Sequence, residues 1–368
     1  MKVKYVDIPL QYQNLKSELL PKIESVLESG HFVFGPLLES LEKRFASHCS
    51  TKYAIGVANG TDALFLSLKA LGIGTGDEVI TAPNSFISTA AAIAHTGAKP
   101  VFADVREDFN LDPSKIENAI TDKTKAIMPV HLTGRLSDMD PIIDIANKHN
   151  LEIIEDSAQA FGAKYNGKMA GSFGITGCFS LHPLKNLNAY GDGGIITTSN
   201  DDIYNKLIEL RNHGLVNRDE CKNWAFNSRL DAIQATIVDS KLDHIGEWNK
   251  KIKEIASIYR EELQDTVTVP KDKPHEDPVY HTFIIQHNKR NELQQHLLNQ
   301  GVETKIHYPI PIHLQNAASY LGYKKGDFPV CESQAERILS LPIYPELTMD
   351  QVKYVINEIK SFDNNKQV

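Results

Sequence analysis

The chain has 368 residues, of which 41% are hydrophobic and 23% are charged, and a formal net charge of -8 at pH 7. Its length accommodates a large α/β domain and a smaller one, and its negative charge disfavours a broad nucleic-acid-binding face. It has no apolar run long enough to span a bilayer and no apolar stretch of the signal-peptide type near its N-terminus, so we expect a cytoplasmic protein without membrane association.

The N-terminal region is predicted to begin with two helices. Leu15, Leu19 and Ile23 recur at helical spacing, and Pro21 indicates that the first helix starts or kinks at that position. Gly30 is expected to end this helix. A second amphipathic helix carries apolar residues at positions 37, 38, 41 and 45.

Short β-prone runs then alternate with helix-like stretches. The predicted strands cover residues 53–57, 79–82, 100–105, 126–130 and 151–154. The predicted helices cover residues 62–71, 85–95, 114–120 and 139–148. This alternation predicts a largely parallel sheet with helices on both faces.

The second half of the chain predicts a passage into another domain. A strand over 194–198 and a helix over 202–211 precede a long helix over 244–263, which is followed by a strand over 281–286 and a helix over 292–300. Thr348 and Gln351 form a capping-box pattern ahead of a terminal helix, and residues 363–368 are expected to fray. We therefore predict a large domain over 1–245 and a smaller C-terminal domain over 246–368.

Four cysteines are present, and their spacing matches neither a metal site nor a disulfide framework. They are Cys49, Cys178, Cys221 and Cys331. We interpret them as structural thiols and predict no metal site.

Three segments carry residues with chemical potential. In the first, Asn59-Gly60-Thr61-Asp62 follows a predicted strand and opens a helix. Glycine permits close approach of a ligand, and the free amides at a helix start attract anions. The segment is consistent with a phosphate-binding turn, although an ordinary capped strand-to-helix turn is the favoured interpretation when the segment is taken alone.

The second segment is an apolar strand that ends in Glu155 and Asp156. Open α/β folds bind their ligands at the carboxyl edge of the sheet, where this strand ends. A carboxylate there can keep a heterocyclic nitrogen protonated, as the ring of a pyridoxal cofactor requires. A helix cap is the alternative interpretation of Asp156.

The third segment places Lys185 between a β-prone run, 179–181, and the glycine-rich turn 191–194. Apolar neighbours that partly desolvate a lysine lower the pKa of its amine and favour imine formation. Most lysines are simply exposed, so this segment alone leaves Lys185 a candidate.

The ordered motifs together are more specific than any one of them. They are Gly35-Pro36, Gly60-Thr61, Gly76-Asp77-Glu78-Val79-Ile80, Asp156 with Gln159, Ser180, Lys185, Asn227-Ser228-Arg229-Leu230-Asp231 and His307-Tyr308-Pro309. From about Tyr5 to the final helix, the chain resembles the DegT/DnrJ/EryC1/StrS family of sugar aminotransferases. The resemblance implies a fold type I, aspartate-aminotransferase-like α/β enzyme dependent on pyridoxal 5'-phosphate (PLP). It also implies a mostly parallel seven-stranded sheet, a smaller C-terminal α/β domain and a homodimer with shared active sites.

The resemblance assigns roles to individual residues. Lys185 would bind PLP as an imine and then transfer protons, Asp156 would pair with the pyridine nitrogen, and Gln159 would lie near the ring hydroxyl. Phe86 matches the position that stacks on the ring, with core packing as its alternative role. Gly60, Thr61 and Ser180 are implied to hold the phosphate, and Asn227 is implied to reach it from the partner subunit.

Several polar residues are candidates for contact with the sugar, and structural roles are the alternative for each. They are His182, Tyr190, Arg229, His307, Tyr308 and His313. Arg229 would meet a uronate carboxylate or a phosphate, or else form an ion pair at the dimer interface.

The resemblance further implies L-glutamate as the amino donor and a keto sugar as the acceptor. The segment 307–315 is similar to members that act at C-3 of dTDP- or UDP-linked hexoses. We therefore expect a 3-keto nucleotide-linked substrate, aminated for a surface glycan such as a lipopolysaccharide O-antigen or for a natural product. His182 is common among C-4 aminotransferases, and the segment 186–190 is similar to members acting on 3-keto sugar phosphates, so both alternatives remain.

Two further classes of protein are disfavoured by Lys185 and Asp156. A PLP-dependent sugar dehydratase of this family would normally carry histidine in place of the lysine. A non-catalytic relative, such as a regulator, would be expected to have lost one of the two residues.

Overall fold

The computed structural model describes residues 1–364, and its N-terminal part begins with two helices. The first, α1 (Ile8–Ser29), begins after Asp7, whose carboxylate accepts a hydrogen bond from the amide of Leu10 (3.2 Å). It ends at Gly30, which has φ 67°, as predicted. Pro21 lies inside α1, so the expectation that a helix starts there is wrong. The second helix is α2 (Pro36–Cys49).

A seven-stranded sheet and its flanking helices follow α2. Its strands, in chain order, are β1 (Tyr53–Val57), β2 (Glu78–Thr81), β3 (Lys99–Phe102), β4 (Thr124–Met128), β5 (Glu152–Asp156), β8 (Thr176–Ser180) and β9 (Gly194–Thr198). The short strands β6 (Lys164–Tyr165) and β7 (Lys168–Met169) lie between β5 and β8 in the chain and belong to a separate sheet. The helices are α3 (Gly60–Ala70), α4 (Ile87–His95), α5 (Pro113–Ile116), α6 (Met139–His149), α7 (Asp201–Arg211) and α8 (Ala232–Leu242).

The spatial order of the sheet is β1-β9-β8-β5-β4-β2-β3. β9 runs antiparallel to both of its neighbours, and the other six strands share one direction. This confirms the predicted fold class with its mostly parallel seven-stranded sheet. Because six strands end at one edge, the loops after β1, β2, β5 and β8 meet there.

The C-terminal region contains α9 (Ile245–Leu263), β10 (Glu276–Asp277), β11 (Phe283–Gln286), α10 (Arg290–Asn299), α11 (Pro329–Arg337), β12 (Ile338–Leu341) and α12 (Met349–Asn364). β11 pairs antiparallel with β12, and the apolar faces of α9 and α12 pack around this pair. The predicted capping box is confirmed: the amide of Gln351 donates to Thr348 Oγ1 (3.3 Å), and the amide of Thr348 donates to Gln351 Oε1 (3.0 Å).

The N-terminus lies against this C-terminal region. The amide of Val3 donates to the carbonyl of Gly301 (2.8 Å), and Val3 is fully buried in the same apolar cluster as α9 and α12. The predicted domain boundary at 245/246 coincides with the start of α9 and stays a prediction. Asp363 and Asn364 end α12, and residues 365–368 of the segment expected to fray lie outside the described residues.

Candidate active site

A cavity of about 620 Å³ opens at the carboxyl edge of the sheet. Ten of the residues singled out in the sequence line it: Gly60, Thr61, Phe86, Asp156, Gln159, Ser180, Lys185, His182, His307 and Tyr308. They come from five separate segments of the chain, so the fold assembles one site from distant motifs.

Lys185 lies in the loop between β8 and β9. Its amide donates to the carbonyl of His182 (2.8 Å), while its Nζ atom has no hydrogen-bond partner among residues 1–364. Burial lowers the pKa of this amine from 10.5 to about 8, and the nearby Asp156 carboxylate partly opposes the shift. A larger fraction of the amine is therefore neutral, and able to attack a carbonyl, than for an exposed lysine.

Helix α8 fixes the loop that carries Lys185. The amide of Tyr190 donates to Gln234 Oε1 (2.9 Å), and Lys241 Nζ donates to the carbonyl of Asn188 (2.9 Å). Lys241 Nζ also lies 3.8 Å from the centroid of the Tyr190 ring, a cation–π arrangement when the amine is protonated, and burial lowers the pKa of this amine to about 7. These contacts hold the Tyr190 ring against α8, away from the residues that line the cavity.

Asp156 ends β5 with its carboxylate in the cavity wall. Its Oδ2 atom accepts a hydrogen bond from Thr89 Oγ1 (2.8 Å), and its Oδ1 atom accepts one from the amide of Ala158 (3.2 Å). Burial raises the pKa of this carboxyl, whereas these two donors and Lys185 act in the opposite direction. The arrangement can hold a buried negative charge beside a protonated ring nitrogen.

Glu155, the neighbour of Asp156, has a structural role on the other face of β5. Its carboxylate accepts hydrogen bonds from the amides of Gly171 (2.8 Å), Phe173 (2.6 Å) and Gly174 (2.8 Å) and contacts His131 Nε2 (3.0 Å). Successive side chains of a strand point to opposite faces, so only one carboxylate of the pair reaches the cavity.

An anion-binding turn lies at the start of α3. Asn59 Oδ1 caps the helix by accepting from the amide of Asp62 (2.8 Å). A Cβ atom at Gly60 would lie 2.6 Å from the Cβ of Ser180, so only glycine fits beside the end of β8. Thr61 Oγ1 donates to Ser88 Oγ (2.8 Å) in the first turn of α4, so the N-termini of α3 and α4 lie together at the cavity. The hydroxyl groups of Thr61, Ser88 and Ser180 line the cavity beside them.

Phe86 and Gln159 also line the cavity. Phe86 is 51% exposed, which excludes the alternative role of core packing, and its ring centroid lies 5.7 Å from that of Tyr308. Gln159 Oε1 accepts from the amide of Thr133 (2.7 Å), which leaves its amide NH2 group as the donor toward the cavity.

The histidines of the cavity are predominantly neutral. Burial lowers the pKa of His307 to about 4, and its Nδ1 atom lies 2.9 Å from Ser340 Oγ. Partial desolvation at the cavity wall and the charge of Lys185 lower the pKa of His182, whose Nδ1 atom accepts from the amide of Leu184 (3.3 Å). A neutral histidine that accepts at Nδ1 carries its proton on Nε2, so His182 offers a hydrogen-bond donor to a ligand.

Four candidates lie outside this cavity in the single chain. Asn227 is exposed and pairs with Asn212 in an isolated bridge, and Arg229 donates to Asn212 Oδ1 (3.4 Å). Tyr190 packs against α8, and His313 is buried with its Nε2 atom 3.0 Å from Glu332 Oε1. The carboxylate of Glu332, a residue of α11, also accepts from the amide of Gly326 (2.8 Å), so His313 belongs to a buried polar cluster around this carboxylate.

Several residues of the cavity were not predicted from the sequence, among them Tyr5, Ser88, Thr89 and His281. Tyr5 reaches the cavity because the N-terminus pairs with the C-terminal region, a contact of high sequence separation that no local pattern reveals. Ser88 and Thr89 lie in the first turn of α4. Small hydroxyl residues at a helix start near the edge of the sheet were a pattern from which these two cavity residues could have been predicted.

His281 lines the cavity and lies close enough to Lys185 to respond to its charge. Its Nδ1 atom lies 3.2 Å from Asn186 Oδ1, while Asn186 Nδ2 donates to the carbonyl of Val279 (3.1 Å). Because the amide oxygen can only accept, His281 carries its proton on Nδ1. Burial, followed by the charge of Lys185, lowers its pKa well below the usual value, so the ring is neutral.

The residues of the cavity fit pyridoxal 5'-phosphate. A partly neutral lysine suits the aldehyde, a carboxylate suits the ring nitrogen, and the turn at Gly60 suits the phosphate. Among residues 1–364, no group of three or more His, Cys, Asp or Glu side chains converges as metal ligands would. No helix within that range is both long and apolar enough to cross a membrane.

Comparisons with known proteins agree with this geometry. Residues 13–360 match the model of the DegT/DnrJ/EryC1/StrS aminotransferase family. The chain is 43% identical to a pleiotropic regulatory protein of Geobacillus stearothermophilus, covering 98% of this chain and 99% of that one. It is 39% identical to dTDP-3-amino-3,4,6-trideoxy-alpha-D-glucose transaminase of Streptomyces venezuelae, covering 98% and 96%. The structure of NtdA from Bacillus subtilis with bound cofactor PMP superposes with a TM-score of 0.91 at 33% identity, covering 98% and 85%.

Proposed function

The chain belongs to the DegT/DnrJ/EryC1/StrS aminotransferase family and is a PLP-dependent aminotransferase, and on this premise we propose that it transfers an amino group from L-glutamate to a 3-keto nucleotide-linked hexose. The observation that carries the proposal is the convergence of Lys185, Asp156 and the Gly60 turn on one cavity. These groups suit the aldehyde, ring nitrogen and phosphate of one cofactor, and 620 Å³ leaves room for a sugar beside it.

The cofactor supplies an electron sink that stabilises negative charge at the carbon next to the amine. The protein supplies position and proton transfer. In this proposal Asp156 keeps the ring nitrogen protonated, and the first turns of α3 and α4 neutralise the phosphate with backbone amides and hydroxyl groups.

Lys185 has two roles in this proposal. Its amine holds the cofactor covalently between turnovers, and once displaced by the amino donor it accepts and returns protons at Nζ. A pKa of about 8 suits both roles, because a proton acceptor works best when its pKa lies near the operating pH.

The choice of C-3 rests on the family members that the segment 307–315 resembles and on the 3-amino product named for the Streptomyces venezuelae relative. His307 and Tyr308 of this segment line the cavity, where they contact a sugar in our proposal. The nucleotide, dTDP or UDP, and the product, a surface glycan or a natural product, belong to the same proposal.

A substrate panel tests this choice. Purified holoenzyme is incubated with L-glutamate and, separately, with 3-keto and 4-keto forms of dTDP- and UDP-linked hexoses and with a 3-keto sugar phosphate. Mass spectrometry follows the replacement of the keto oxygen by an amine. We expect turnover of a 3-keto nucleotide sugar. Turnover of 4-keto substrates alone, or of the sugar phosphate alone, would replace the proposal by the corresponding alternative.

A further inference from the structure

A chain of hydroxyl groups leads from the loop after β2 to Asp156. Ser85 Oγ lies 2.8 Å from Thr89 Oγ1, and Thr89 Oγ1 lies 2.8 Å from Asp156 Oδ2. The three residues are 4%, 1% and 5% exposed, so water does not compete for these bonds. Both hydroxyl residues come from a segment of which only Phe86 was singled out in the sequence.

The direction of the bonds follows from the number of protons. An ionised carboxylate can only accept, so the single hydroxyl proton of Thr89 points to Asp156. Thr89 can then only accept from Ser85, which must donate. The chain therefore runs from Ser85 to Thr89 to Asp156, and each bond polarises the next in a region of low dielectric constant.

We propose that Thr89, supported by Ser85, is a positioning residue that orients Asp156 and keeps its carboxylate ionised for the ring nitrogen of the cofactor. This inference rests on the role proposed above for Asp156. The hydroxyl of Thr89 occupies Oδ2, and the amide of Ala158 occupies Oδ1 (3.2 Å). Each oxygen keeps a lone pair, so the carboxylate retains an acceptor site for the ring nitrogen in a fixed orientation.

Other groups also act on Asp156. Lys185 and His131 lie close enough to favour its ionised form, whereas Tyr308 and Cys178 lie where their own ionised forms would repel it. Burial is the largest influence and favours the neutral acid. Thr89 is the side-chain donor that opposes burial directly, since a hydrogen bond to a charged group is stronger than one between neutral groups.

The experiment compares hydroxyl removal with hydroxyl retention. Thr89→Val keeps the shape and removes the donor, Thr89→Ser keeps the donor, and Ser85→Ala removes the support. Thr236→Val is the matched control, because Thr236 is a buried helical threonine of α8 that donates to the carbonyl of Ala232 (2.8 Å) away from the cavity. Asp156→Asn serves as the reference for loss of the carboxylate.

Two readouts besides turnover are measured. Equilibrium dialysis of the apoenzyme gives the Kd for PLP, and a pH titration of the absorbance of bound PLP reports the protonation of its ring system. For Thr89→Val we expect about tenfold weaker PLP binding, equivalent to about 1.4 kcal/mol, and a displaced titration. Thr89→Ser should restore both values, Ser85→Ala should give a smaller change, and Thr236→Val should change neither.

The outcomes separate this inference from the proposed role of Asp156. If Asp156→Asn weakens PLP binding but Thr89→Val behaves as wild type, the positioning role is wrong and the role of Asp156 stands. If Asp156→Asn itself leaves PLP binding and its titration unchanged, the proposed role of Asp156 fails first. A change in Thr89→Val that Thr89→Ser does not rescue would also overturn the inference, since it would reflect packing.

Discussion

A Cβ atom at Gly60 would lie 2.6 Å from the Cβ of Ser180 and 3.1 Å from its Cα, which brings the start of α3 against the end of β8. Both contacts involve atoms at or next to the backbone, so a side chain at position 60 cannot be relieved by a rotamer change. The close approach, rather than a left-handed backbone, explains the need for glycine here. It leaves the amides of Gly60 and Thr61 at the start of α3 available to an anion, whereas the amide of Asp62 is already bonded to Asn59 Oδ1.

Gly60→Ala is expected to weaken PLP binding by about 1–3 kcal/mol, the usual range for an overpacked contact. The added methyl group must displace α3 or β8 and so widens the phosphate-binding turn. Equilibrium dialysis gives the Kd. The matched control is Gly246→Ala in α9, where a Cβ atom meets no atom within 4 Å and PLP affinity should be unchanged. Equal Kd values for the two variants would contradict the assignment of this turn to the phosphate.

The rate at which apoenzyme captures PLP is expected to rise with pH around a midpoint of about 8, the pKa of Lys185. The neutral amine is the reactive form and predominates above its pKa, whereas an exposed lysine would give a midpoint of about 10.4. Stopped-flow absorbance measures the rate. Borohydride reduction followed by mass spectrometry should then place the label on Lys185.

The Asp156→Asn variant provides a second test of the pKa of Lys185. The negative charge of Asp156 holds the pKa of the amine up, so its removal should shift the midpoint to lower pH. Lys185→Ala should abolish the label. A wild-type midpoint near 10 would mean that the amine is not desolvated in solution.

The sequence predicted the parts of the site that depend on local pattern. Asp156 was placed correctly at a strand end because strands and their carboxyl edge follow from periodicity. Ser180, which ends β8, was singled out by the family resemblance and not by a local pattern. Tyr5 was missed because its position depends on packing between the N-terminus and the C-terminal region. His281 was missed because its position depends on the contacts of residues 279–282 with Asn186 and the loop after β4. The segment 307–315 shows the same limit of prediction from sequence. His307 lines the cavity while His313 is buried against Glu332, and this difference depends on the tertiary fold of the segment.

His313→Ala is expected to lower the free energy of unfolding by about 1–3 kcal/mol, because it removes a buried hydrogen-bond partner of Glu332. The KM for the keto sugar should stay unchanged, since His313 lies outside the cavity of this chain. Urea denaturation and steady-state kinetics measure the two quantities. His307→Ala is the companion variant and should raise KM. A large rise in KM for His313→Ala at unchanged stability would return His313 to the sugar site.

His182→Phe is expected to raise the KM for the keto sugar about tenfold while leaving the Kd for PLP unchanged. The side chain is exposed at the cavity wall and donates from Nε2 in our assignment, and one lost hydrogen bond is worth roughly this factor. His182→Gln retains a donor and should recover part of the affinity. If the phenylalanine variant binds the sugar as wild type does, His182 does not contact it.

Mixing two impaired variants, and comparing the mixture with each variant alone, tests the proposal that a homodimer shares its active sites. Asn227 lies outside the cavity of its own chain, near the exposed side chains of Trp224 and Phe226, which suits an interface. If Asn227 serves the partner's site, a hybrid of Lys185→Ala and Asn227→Ala subunits has one intact site and one doubly altered site. Random reassociation should then restore about a quarter of wild-type activity. A hybrid of Lys185→Ala with Gly60→Ala is the control and should add nothing to the activity of the two variants measured separately, because both residues line the cavity of one chain and no intact site forms. Equal recovery in the two mixtures, or none in either, would contradict the sharing of sites through Asn227.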